Sequence, residues 1–147
     1  MLTLNGIRKM ILDVLFTGLL WVILMKLWQK HIKQKEIWVF EDSESDIMLL
    51  KINLQLDDYY IRYFKSVKGL RFRTAMSPPD AVICDYFLQD DINGDQVRKF
   101  FRRNHIPVII TTGYDGDING VPADAIIRKT TGQKCYRDIE HWVHSVT

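Results

Sequence analysis

Four short apolar runs of this chain end in polar groups of complementary type. Ala81-Val82-Ile83-Cys84 ends in Asp85, and Ile37-Trp38-Val39-Phe40 ends in Glu41-Asp42. Ile106-Pro107-Val108-Ile109-Ile110 ends in Thr111-Thr112-Gly113, and Ala125-Ile126-Ile127 ends in Arg128-Lys129. Apolar runs of this length with abrupt polar ends read as fully buried strands. If their tips meet, the carboxylates of Glu41, Asp42 and Asp85 crowd together, and like charges so close do not all stay ionised without a cation. Oxygen ligands without Cys or His select Mg²⁺, which keeps several waters and takes one or two carboxylates. A carboxylate beside such an ion and a lysine is suited to attack a phosphoryl group and become an aspartyl phosphate. Lys129 and the metal would neutralise charge on the equatorial oxygens, and Thr112 would donate a hydrogen bond.

The elements that must position these groups follow from the pattern between the strands. Ser43-Glu44-Ser45-Asp46 reads as a helix start, with Ser or Asp as cap. Ile47, Leu50 and Leu54, with Met48 and Leu49 beside them, would supply the buried stripe. Tyr59–Phe64 alternates weakly and is rich in aromatics, as an edge strand would be. Val67–Met76 is a short helix candidate, broken by Ser77-Pro78-Pro79. Asp95–Arg103 is amphipathic, with Val97, Phe100 and Phe101 on one side and Arg and Lys on the other. Thr130 or Thr131 would cap a last helix carrying Ile139, Trp142, Val143 and Val146 on one face. Strand and helix alternate five times, which implies a parallel sheet covered on both faces. Right-handed crossovers then restrict the layout to a doubly wound, flavodoxin-like α/β sheet in order 2-1-3-4-5. In that order the strands ending at residues 41, 85, 112 and 129 are neighbours.

At 147 residues the chain holds one domain with an appendage, and its net charge of +2 is unevenly spread. Residues 1–35 carry +5 and residues 36–147 carry −3. The expected division is an N-terminal helix and flank over 1–28, a basic tether over 29–35 and the α/β domain over 36–147. Residues 11–28 are 18 residues with one Asp and one Lys, long enough to span a bilayer if Lys26 snorkels. Their Leu, Ile, Val and Phe residues contribute roughly −3 to −6 kcal/mol to insertion, which outweighs Asp13 near the end. The heavier cationic flank after the run places the domain in the cytoplasm, so a single-pass protein of the inner membrane is expected. The two cysteines, Cys84 and Cys135, show no metal-site spacing, and Cys84 in a buried strand is expected as a free thiol. Lys65, Lys68, Arg71 and Arg73, with Arg98, Lys99, Arg102 and Arg103, are expected on one solvated side of the sheet. Anionic lipid is the next reading for that side, and nucleic acid is not expected, because the domain is net acidic and shows no recognition motif.

The chain from 36 to 147 resembles the receiver domain of two-component response regulators. The resemblance rests on the acidic pair in FEDSESD, Asp85 in AVICDY, Thr112-Gly113 in PVIITTG and Lys129 in AIIRK, with 43 residues from Asp42 to Asp85. It implies that Asp85 is the phosphoacceptor. It also implies that Asp42, Asp85 and the carbonyl of Phe87 bind Mg²⁺ with help from Glu41 through water, and that Thr112 and Lys129 hold the phosphoryl group. The partner implied is a histidine kinase or a phosphotransfer protein. The domain would be a signalling domain whose only catalysis is its own phosphorylation and dephosphorylation. The oligomeric state does not follow from the sequence.

The pattern departs from the family at several places. Glu41 stands where Asp is commoner, Thr130 stands where a proline follows the lysine, and Ile126 stands at the position of the switch aromatic. The loop before Gly94 has an extra residue and lacks the usual proline. The interval from Thr112 to Lys129 is only 17 positions, so the helix between the fourth and fifth strands should be reduced or absent. Two functions therefore stand side by side. One is a membrane-tethered receiver acting as relay, sink or regulated partner. The other is a degenerate receiver that docks on a kinase or other membrane protein without being phosphorylated. A phosphatase of the haloacid dehalogenase type also uses an aspartyl phosphate, but it needs a second Asp two residues on, where Phe87 stands.

Overall fold

The computed structural model describes residues 18, 20–22, 24, 34–116, 118, 120–130 and 132–147. They belong to two compact units, Met1–Gln34 and Lys35–Thr147. In the first, the described residues Gly18, Leu20, Trp21, Val22 and Leu24 are helical and exposed. The expected membrane-spanning helix, and with it the single-pass place at the inner membrane, is corrected here: no helix among the described residues is long and apolar enough to cross a membrane. The rest of 1–28 and residues 29–33 of the tether lie outside the described residues.

The second unit is built on a parallel five-stranded sheet in the expected order, β2-β1-β3-β4-β5. Its strands are β1 (Lys35–Phe40), β2 (Tyr59–Phe64), β3 (Ala81–Asp85), β4 (Val108–Thr112) and β5 (Ile126–Arg128). The helices are α1 (Glu44–Asn53), α2 (Leu70–Met76), α3 (Gly94–Arg103) and α4 (Lys134–Val146). β1, β3 and β4 are apolar at successive positions because side chains alternate between two covered faces. Trp38, Phe40, Val82, Cys84, Val108 and Ile110 enter one core with Val97 and Phe101 of α3. Ile37, Val39, Ala81, Ile83 and Ile109 enter the other with Leu50 of α1 and Ile139 and Val143 of α4. Phe40 stacks on Phe64 at 5.2 Å, and Trp38 meets Phe64 and Phe101 edge-on, which fixes β2 and α3 against β1. Both cysteines are buried free thiols.

Several helix limits differ from the sequence pattern, each for a local reason. α2 begins at Leu70, not Val67, because Gly69 ahead of it is left-handed at φ 75°. Val67 instead lies in the core. α4 starts after Gln133 with no side-chain cap, so Thr130 is not its cap, and Thr131 lies outside the described residues. Met48 and Leu49 are exposed on α1, leaving Ile47 and Leu50 as its buried residues. Arg98, expected on the solvated side of α3, is 5% exposed: its guanidinium bonds Asp95 at 2.9 Å and the Gly120 carbonyl at 3.0 Å. Between β4 and β5 the described residues hold one three-residue 3-10 turn, Ala123–Ala125, in place of a full helix.

Candidate functional site

Register brings the strand tips together. Phe40 pairs with Cys84, so Glu41 and Asp42 leave β1 beside Asp85; Asp85 pairs with Thr111, and Thr112 pairs with Arg128. Glu41 and Asp85 continue the alternation of Ile37, Val39 and Ile83 toward α1, which explains why they meet a residue of that helix. α1 itself is aimed by its cap: the Ser43 hydroxyl accepts from the Asp46 N–H, and Glu41 accepts from the Ser43 N–H at 3.2 Å.

The centre of the site is the Lys129 ammonium. It donates to Glu41 Oε2 at 2.6 Å, Asp46 Oδ2 at 2.7 Å and Asp85 Oδ1 at 2.8 Å. An ammonium has three protons, and all three are engaged. The lysine is placed by its own backbone, whose N–H donates to the Thr112 carbonyl at 2.7 Å. The other oxygen of Asp85 accepts from the Phe87 N–H at 2.8 Å, and Asp42 accepts from the Gln89 N–H at 3.2 Å. Both donors lie in the loop after β3, so that loop is tied to the carboxylates at two points. Gly94 closes it: a Cβ there would lie 2.7 Å from the Asp85 carbonyl oxygen.

Charge in the site is unbalanced, and the proton affinities record it. Burial is the main reason that Asp85 holds its proton above the ordinary carboxylate range; the nearby Asp42 adds to this, while Lys129 and the Phe87 N–H oppose it. Glu41, 2% exposed, is raised in the same way, by burial first and then by Asp85. Burial works against the Lys129 charge, but its hydrogen bonds to Asp46, Asp85 and Glu41 outweigh it and raise the lysine. The acids rise because burial outweighs their share of one cation, and the lysine rises because its carboxylate partners outweigh its burial.

The residues expected at the site therefore come together with one exception in orientation. Glu41, Asp42, Asp85 and Lys129 converge. Phe87 contributes its N–H to Asp85, and its ring is exposed against Tyr86 and Tyr114. Thr112 stands at the tip of β4 but is fully buried, and its hydroxyl accepts from the Tyr114 N–H at 3.1 Å. Its own proton remains to be donated. The sequence reading missed Asp46, which looked like a helix-start residue. Its spacing from Asp42, one helical turn into α1, was the only signal that it could reach the strand tips.

A divalent ion fits the donor set. One oxygen from each of Glu41, Asp42 and Asp85 lies within 4.8 Å of the others. Oxygens about 2.1 Å from one ion lie at most about 4.2 Å apart, so at most a small inward shift is required. Such an ion would compete with Lys129 for Glu41 and Asp85.

No protein-family model and no curated protein matches the chain. Solved structures do. A putative response regulator from Chloroflexus aurantiacus superposes with a TM-score of 0.63 at 22% identity, over 78% of this chain and 98% of that one. A CheY-like response regulator receiver domain from Methylobacillus flagellatus gives 0.59 at 17% identity, over 78% and 99%. The Mn²⁺-bound form of the response regulator Rcp1 gives 0.57 at 20% identity, over 77% and 97%. At these identities the likeness is one of architecture, and it agrees with the strand order and the covered faces described above: the unit Lys35–Thr147 has the fold of response-regulator receiver domains.

Proposed function

We propose that this protein is a phosphoacceptor of two-component signalling, taking a phosphoryl group on Asp85 from a histidine of a kinase or phosphotransfer protein. The observation that carries the reading is Asp85 itself: a nearly buried carboxylate at the tip of the central strand, bonded to Lys129 inside an all-oxygen cluster. Glu41, Asp42 and Asp85, with the Phe87 carbonyl, would hold Mg²⁺. When bound, the ion supplies positive charge to the transferring phosphoryl oxygens. The Asp85 oxygen that now pairs with Lys129 would be released to attack phosphorus as the phosphorus–nitrogen bond breaks, and the electron pair returns to the imidazole. Lys129 leaves part of its carboxylate set to take a phosphoryl oxygen, and Thr112 donates the hydroxyl proton that its bond with Tyr114 leaves unused. A protein donor is favoured by Met48, Leu49 and Ile52, which are 65%, 48% and 70% exposed on the helix that starts at the site.

The test is mass spectrometry of the full chain after incubation with Mg²⁺ and acetyl phosphate. One phosphoryl adduct is expected, mapped to Asp85 and absent from Asp85→Asn; a folded wild-type chain without adduct overturns the reading. The 3-10 turn between β4 and β5, with Ile126 after it, favours a second reading in which the fold docks on a kinase without being phosphorylated. Unchanged partner binding by Asp85→Ala would select it.

A further inference from the structure

Away from the strand tips, α2 and α3 leave a groove of about 800 Å³ between them. Its floor is apolar: Val67, Leu70 and Val97 are buried there, and Phe100 is half-buried. Its walls are apolar and exposed, with Phe72 71% and Ile92 38% accessible, and Met76 continues the Phe72 stripe at 73%. Its rim is cationic on both sides, with Lys68 and Arg71 facing Lys99 and Arg103 across the opening. Other cations of this side are spent: Arg98 and Lys99 pair with Asp95, Lys65 pairs with Glu44, and Arg73 lies over the Phe64 ring. Lys68, Arg71 and Arg103 are exposed and have no carboxylate partner among the described residues. Of the two acids in the lining, Asp90 is held internally, accepting from the Val67 N–H at 2.7 Å and the Ser66 hydroxyl at 3.3 Å. Residues 36–147 carry −3, so three unpaired cations around an apolar trough, against Asp91 as the other acid of its lining, are a local reversal of charge.

An apolar trough between two helices, bordered by unpaired cations, is complementary to one kind of surface: an amphipathic helix with apolar anchors and flanking carboxylates. We propose that the α2–α3 groove docks an acidic amphipathic helix of a partner protein, with the loop at residues 87–93 linking its occupancy to the state of Asp85. The linkage rests on the phosphoacceptor reading. Phe87 bonds the Asp85 carboxylate, Gln89 bonds Asp42, and Asp90 of the same loop bonds Val67 in the groove floor. A phosphoryl group on Asp85 changes what Phe87 and Gln89 bond, and the next residue carries the shift to Val67. Nucleic acid fits less well, because the cations flank an apolar trough and residues 36–147 are net acidic.

The probe is a fluorescein-labelled helical peptide with Leu at i, i+3, i+4 and i+7 and Glu elsewhere, titrated with the full chain by fluorescence anisotropy. Micromolar binding is expected. Arg71→Glu with Arg103→Glu should weaken it at least tenfold, and Phe72→Ala at least threefold, with circular-dichroism melts matching wild type. Adding Mg²⁺ and beryllofluoride should change the affinity at least threefold, and Asp85→Asn should abolish that change. The docking proposal is overturned by no binding, by equal binding of the peptide with Lys for Glu, or by indifference to the charge reversals. It is also overturned if an oligonucleotide or phosphatidylglycerol vesicles displace the peptide. If the beryllofluoride adduct forms without altering affinity, the linkage to Asp85 falls. If no adduct forms, the phosphoacceptor reading falls, and basal binding still decides the groove.

Discussion

Asp46 is the residue whose role most alters the chemistry of the site. It places a third carboxylate on Lys129, so the lysine reaches a phosphoryl group only by giving up one of its bonds. Asp46→Asn keeps the side-chain shape, removes one negative charge and leaves Lys129 a weaker, uncharged acceptor that it gives up more readily. Phosphorylation by acetyl phosphate should then run about fivefold faster, equivalent to about 1 kcal/mol off the barrier. An unchanged rate would show that the bond to Asp46 does not restrain Lys129. The raised affinities of Asp85 and Glu41 set a pH dependence. The folded protein binds these protons more tightly than the unfolded chain, so without metal its stability falls as pH climbs from the ordinary carboxylate range through the raised values. Urea titrations across that window should show the fall, and Asp85→Asn should flatten it and add on the order of 1 kcal/mol above it. Asp46 was not legible from the sequence because a Ser- and Asp-rich helix start satisfies its own cap. The charge shared by Lys129 is visible only once α1 is packed.

At the scale of elements, the sheet was legible because strands buried on both faces write themselves as unbroken apolar runs. Ala81–Cys84 and Val108–Ile110 needed no context to be read. The helix starts were less legible. Gly69 ends the possibility of a helix from Val67 through a positive φ that no periodicity encodes, and α4 begins without a capping side chain. Arg98 was misplaced because α3 reads as a cationic face, whereas the Gly120 carbonyl and Asp95 supply partners that a helical wheel cannot show. The start of α3 carries the sharpest steric test. A Cβ at Gly94 would meet the Asp85 carbonyl oxygen at 2.7 Å and the Tyr86 Cα at 2.8 Å, both backbone atoms. Gly94→Ala should lower the urea midpoint by the equivalent of about 1–3 kcal/mol. It should also slow adduct formation, because the backbone forced to move is that of Asp85.

For the molecule as a whole, the site gathers more carboxylates than cations, an excess that a divalent ion would relieve. Mg²⁺ should therefore raise the melting temperature, with about 2.7 kcal/mol of stabilisation at one hundred times its dissociation constant. Calorimetry with and without Mg²⁺ checks this, and Asp42→Asn with Asp85→Asn should remove the gain. Lys129→Ala leaves Glu41 and Asp85 without their cation and should cost about 3–5 kcal/mol without metal. Part of that loss should return on adding Mg²⁺. The sheet order and the shortened β4–β5 connection were readable, whereas the membrane helix expected over 11–28 was not upheld, since no helix among the described residues is long and apolar enough to cross a membrane. That connection has a further consequence. β5 is three residues long, lies at the sheet border and, among the described residues, pairs with β4 alone, with Arg128 braced on the Tyr114 and Gly116 carbonyls. Border segments this short detach far more often than a whole domain melts. Each detachment carries off the ammonium one residue further on, so the persistence of an acyl phosphate here would be timed by how often a three-residue hem comes loose, and deuterium uptake at Ile126–Arg128 would keep the same clock.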